Sequence, residues 1–127
     1  MPYDQLNKSI RKALQEAGLN TSTPDLRNRE TDIPAIVWDL QAAMFTKTST
    51  ATMGPVTCSV GFDCLALTRL DAVTLAKSCR AALIESDDFF VTFDDESADL
   101  FERGADIEPV YLQSIQSTFT LATLEEE

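Results

Sequence analysis

A chain of 127 residues, 44% of them hydrophobic, fits one domain with one core. Its formal net charge is −11, and the surplus sits in the last third: residues 85–127 hold thirteen of the 21 acids and one of the ten bases. A field of that sign repels phosphate and argues against sequence-specific nucleic-acid binding, and no run approaches the roughly 18–20 apolar residues that a membrane helix needs.

The chain opens with an amphipathic helix over residues 3–17. Tyr3, Leu6, Ile10, Ala13, Leu14 and Ala17 recur at helical spacing, and Lys8, Arg11 and Lys12 lie mostly off that stripe. Gly18 suits a left-handed stop just past its end. Residues 20–31 mix Asn, Thr, Ser, Pro and charges, the composition of an exposed connection. Two strands follow. Ile36, Trp38, Leu40, Ala42 and Met44 alternate in the first. Val56, Cys58, Val60, Phe62 and Cys64 alternate with Thr57, Ser59, Gly61 and Asp63 in the second. Between them, Thr46–Pro55 is rich in Thr and Ser and reads as the extended arm of a hairpin.

A second helix is expected over 69–85, with Thr68 and Asp71 at capping-box spacing and Ala72, Ala76, Cys79 and Leu83 forming its stripe. A short strand, Phe89–Phe93, comes next, then an acidic loop, Asp94–Asp106. A closing strand begins near Pro109 and puts Tyr111, Ile115, Phe119 and Leu121 on one face. In a strand Phe89 and Phe90 point to opposite sides, so one of them must meet a second layer or a partner. The expected fold is one α+β domain spanning 1–127, in the order αββαββ. Its two layers are an antiparallel sheet and two helices packed on one face.

Catalytic chemistry finds little purchase. With no histidine, His-based triads and His-ligated metals are absent. Cys58 and Cys64 lie on one strand, about 20 Å apart at about 3.3 Å per residue, too far for a disulfide. No cysteine pair has CxxC spacing, and all three read as small buried hydrophobes of a reducing compartment. No phosphate-binding glycine loop occurs. Asp94, Asp95, Glu96 and Asp99 lack the register of a calcium loop and read as a solvated acidic segment. Pro2 precedes a helix, where proline is ordinary, and not the buried strand that a catalytic N-terminal proline occupies. Trp38 is expected in the core, with an interface anchor as the alternative. No catalytic residue, cofactor or metal is therefore expected. No secretory signal is read at the N-terminus.

Three segments carry a resemblance to a known family: VTCSVGFDCLALTRLDAVTLAKSCRAAL at 56–83, FFVTF at 89–93 with its acidic continuation, and VYLQSIQSTFTL at 110–121. Together with the first helix, this pattern resembles the tail-terminator (tail-completion) proteins of long-tailed bacteriophages. The resemblance is one of strand–helix rhythm and carries no ligand motif. It implies a structural virion protein, assembled in the host cytoplasm. Six copies would form a ring that caps the tail tube and joins it to the head–tail connector proteins. Genomic DNA would pass through the bore without sequence-specific binding. On that reading Asp94, Asp95, Glu96 and Asp99 line the bore. Thr46, Lys47, Thr48, Ser49, Thr50 and Met53 form an inter-subunit arm, and Lys8, Arg11 and Lys12 face acidic surfaces of a neighbour. The alternatives are another connector or neck protein, or an acidic regulatory module that mimics DNA.

Overall fold

The computed structural model describes residues 2–22, 33–45, 56–103 and 106–121. Helix α1 spans Pro2–Glu16. It ends as expected, with Gly18 at φ +80. The Leu19 N–H reaches back to the Leu14 carbonyl and the Gly18 N–H to that of Gln15, the paired bonds of a Schellman motif. Helix α2 spans Arg69–Ile84, and Thr68 caps it by accepting the Asp71 N–H at 3.1 Å.

The four strands are β1 (Ala35–Phe45), β2 (Val56–Ala66), β3 (Phe90–Phe101) and β4 (Val110–Leu121). They form one antiparallel sheet in the order β1-β2-β4-β3. The last strand thus pairs on both sides, and β1 and β3 are the edges. The chain order is αββαββ and the class α+β.

Period-two alternation in β2 decides where the core lies. Cys58, Val60, Phe62 and Cys64 are all buried, together with Ile36 of β1 and Ile115 and Phe119 of β4. The same cluster holds Leu6, Ile10 and Leu14 of α1 and Ala76, Cys79 and Leu83 of α2. Phe89 joins it edge-on to Phe119, ring centroids 4.8 Å apart, whereas Phe90 is 68% exposed; the two phenylalanines do part, but the strand begins at Phe90 and Phe89 precedes it. Trp38 is partly buried against this core. Its indole N–H donates to Asn7 Oδ1 at 2.7 Å, and the Arg11 guanidinium lies 4.9 Å above its ring. Ser117, the one buried polar residue among the described residues, donates its hydroxyl to the Val60 carbonyl at 2.8 Å.

Two expectations fail, both at β-bulges. In β1 the register shifts between Leu40 and Ala42, so that Ala43, not Ala42, stands opposite Cys58. The simple alternation from Ile36 to Met44 therefore breaks at Gln41. The larger correction concerns the acidic loop. Asp94, Asp95, Glu96 and Asp99 lie within β3, which runs unbroken to Phe101 with a register shift between Phe93 and Asp95. Acidic residues are poor strand formers, but pairing along the full length of β4 overrides that preference.

Candidate functional site

The shift at Asp94 decides which way the acids face. Before it, Val91 and Phe93 stand opposite Phe119 and Ser117 on the helix side. After it, Glu96 stands opposite Ile115 on that side, while Asp95, Ser97 and Asp99 stand opposite Gln116, Ser114 and Leu112 on the other. Asp94 accepts the Thr118 hydroxyl at 2.7 Å and so belongs to the second group. An extra residue in the strand thus sets two consecutive carboxylates on one face.

The four residues expected to line a bore therefore divide. Asp94, Asp95 and Asp99 share the sheet face away from the helices. Glu96 is on the helix side, ion-paired to Arg80 of α2 and accepting the Gln113 side-chain amide at 2.6 Å. Its role is to tie α2 to β3 and β4. Asp39 and Asp63, absent from the expected set, join the three on the far face, and a shallow hollow of about 320 Å³ there is lined by Asp39, Asp63, Asp95, Ser97 and Ser114 among others. The signal for them was present: Asp63 falls on the polar parity of β2, and Asp39 stands between the core residues Trp38 and Leu40.

Between these carboxylates that far face carries neutral hydrogen-bonding side chains, and toward one end Phe90 stands exposed opposite Thr120. The Ser114 hydroxyl donates to Asp63 at 2.7 Å. The Gln116 side chain reaches Gln41 across the middle strand, passing over Gly61, where an added Cβ would sit 2.7 Å from Gln41 Nε2. Glycine at 61 keeps the crossing open. Among the described residues no group of three or more acidic or thiol side chains is placed to hold a metal ion.

Exposed apolar side chains lie both on this face and beside it. The exposed large hydrophobics of the described residues are Leu67, Leu70, Val73, Ile84, Phe90, Leu100 and Phe101, and all lie on α2, on its lead-in or on β3. Leu70 is 74% exposed. Arg69 fixes this corner by stacking 5.0 Å over Tyr111 and donating to the carbonyls of Leu112 and Asp99. Exposed apolar side chains set among charges mark a surface meant for another protein more often than do scattered ones.

Of the remaining expected contacts, Lys8 and Lys12 are exposed on α1 and Arg11 packs on Trp38. Lys12 also borders a cleft shared with Glu85, Ser86, Asp87 and Asp88. The proposed arm, Thr46 to Met53, lies outside the described residues. The three thiols are free and buried. Contact with Cys79 and burial push the Cys64 thiol far above its usual range, and burial raises that of Cys58. Neither is a nucleophile in this state. Among the described residues no helix is long and apolar enough to cross a membrane.

No protein-family model and no curated protein matches the sequence.

Proposed function

We propose that the chain is a non-catalytic structural subunit of a long-tailed bacteriophage particle, the tail terminator. Copies of it form a ring, six in the family it resembles, that caps the tail tube and joins it to the head–tail connector. In this reading the domain has two layers. The helices and the α2/β3 flank meet other subunits, and the helix-free face of the sheet turns to the bore. The observation that carries the reading is the gathering of five carboxylates on the uncovered face. Asp39, Asp63, Asp94, Asp95 and Asp99 share that face, with Phe90 exposed toward one end of it, while Leu67, Leu70, Val73 and Ile84 are exposed on α2 and its lead-in.

The physics of a DNA passage favours such a face. A like-charged wall does not bind the phosphate backbone, so DNA slides without adhering. An apolar flank on a small subunit stabilises ring contacts by removing area from water, at roughly 25 cal/mol per Å² of apolar surface. Lys8 and Lys12, exposed on α1, supply cations for acidic surfaces of neighbouring proteins. Particle assembly takes place in the host cytoplasm, and the tail neck is the final location.

Disrupting the coding sequence in the phage that carries it tests the reading. Filled heads and separate tails should accumulate, and supplying the chain in trans should restore joined particles. Normal particles lacking the protein would sink the proposal. If heads alone are defective, the protein belongs to another connector position.

A further inference from the structure

The two edges of the sheet are not equally open. On β3, Asp95 Oδ1 accepts the Glu96 N–H at 2.9 Å and Asp99 Oδ1 accepts the Leu100 N–H at 2.8 Å. These donors are four residues apart and share one side of the strand, so two carboxylates occupy main-chain groups that an added strand needs. Charge along an edge is a known guard against strand addition. On β1, the Ile36 N–H donates to the Asn20 carbonyl at 2.9 Å, and the Asn20 side chain donates to the Pro34 carbonyl at 3.1 Å. Residues 34 and 36 thus turn their main-chain groups away from β2. By strand alternation Trp38 and Leu40 do the same, and among the described residues nothing pairs with them.

At that point the edge borders a hollow of about 350 Å³ lined by Asp4, Asn7, Trp38, Asp39 and Leu40. Asp4 stands on α1, on the helix side, and Asp39 on the opposite face of the sheet, across from Gly61. A strand laid along Trp38–Gln41 sends successive side chains to opposite faces, one toward Asp4 and the next toward Asp39. Arg11 already covers a face of the Trp38 ring, so the incoming cations are held by the carboxylates and their alkyl stems lie along Trp38 and Leu40. We propose that the β1 edge from Trp38 to Gln41 accepts a β-strand from a partner protein, and that this strand carries two adjacent basic residues. Main-chain bonds supply the affinity and the two carboxylates the selectivity. The inference does not depend on the ring reading.

Trp38 is the only tryptophan in the chain, so its emission reports binding directly. The probe is a blocked octapeptide of alternating threonine and valine with a central Lys-Arg pair, titrated into the full chain. Three losses of affinity, each at least tenfold, are expected: on replacing the pair by norleucine and glutamine, on N-methylating the peptide amides that would face β1, and in the Asp4→Asn/Asp39→Asn variant. Both changed side chains are exposed, and circular dichroism checks the variant's fold. Should that variant unfold, the two altered peptides still decide the question on the native chain. Absence of binding at millimolar peptide, or binding indifferent to N-methylation, would overturn strand addition. Equal affinity for the uncharged peptide would overturn the basic partner. None of these outcomes touches particle assembly, which the gene disruption tests separately.

Discussion

Beneath the helices, β2 presents Cys58, Val60, Phe62 and Cys64; on its reverse it presents Thr57, Ser59, Gly61 and Asp63. The first set is at most 3% exposed and carries the fold. The second is half-buried, polar and flanked by carboxylates from β1 and β3. The difference teaches how a chain of 127 residues divides its labour. One face is spent on stability and has little freedom to vary, and the other is held in place by the first and is free to carry charge. The two bulges sharpen the division. Each adds one residue to an edge strand, and the one at Asp94 places two acids where an unbroken alternation would place one.

The largest effect should come from the covered face. Phe62 is fully buried, with Trp38 and Phe119 ring centroids at 6.2 and 5.9 Å. Phe62→Ala should cost about 3–5 kcal/mol, read from urea unfolding. Thr118→Ala on the reverse face should cost under about 1 kcal/mol. Comparable losses at the two positions would break the comparison.

The covered face also predicts a pH dependence. The Cys64 thiol stays protonated in the folded state at pH values where the unfolded chain ionises, near its reference of 9.0. Protons then leave the unfolded state first, so stability is complete below pH 9 and falls as pH rises above it. The loss of stability through Cys64 should reach about 1.4 kcal/mol at pH 10. Comparing unfolding midpoints at pH 8 and pH 10 for the native chain and Cys64→Ala isolates it; equal slopes would contradict the assignment.

Glu96 tests the seam between the two faces. Its ion pair with Arg80 is about 30% exposed at each partner, so Coulomb attraction alone contributes little. Glu96→Ala also strips a partner from Gln113, whose Oε1 is already buried without one among the described residues. A loss of about 1 kcal/mol is expected, and adding salt should reduce the native–variant gap only in part. A gap abolished by salt would make the site a surface pair and nothing more.

Most of the architecture was legible in the sequence because it rests on periodicity. Leu6, Ile10 and Leu14 announced α1, Thr68 the cap of α2, and nine alternating residues β2. What escaped notice depended on pairing across the sheet. Residues 94–101 read as a loop, since Asp, Glu and Ser disfavour strands locally; only the length of β4 recruits them. The bulge at Asp94 has no local signal, so the parting of Glu96 from Asp94, Asp95 and Asp99 was invisible. Asp63 was assigned its correct face without being recognised as part of the acidic surface, because its neighbours there come from β1 and β3, far away in sequence.

The smallest effect belongs to the reverse face itself. The clash at Gly61→Ala falls on the tip of the flexible Gln41 side chain, which swings away at the loss of its bond to Gln116. A net change within about 1 kcal/mol is expected by thermal unfolding. A larger loss would mean that the polar face is as tightly built as the core.

Electron cryo-microscopy of the protein in its assembled particle probes the division of faces most directly. The account predicts a ring in which Asp39, Asp63, Asp94, Asp95 and Asp99 look into the bore and Leu70 and Leu100 are covered by neighbouring chains. Carboxylates on the outer wall with helices lining the bore would contradict it, as would a solitary chain closed around a bound substrate.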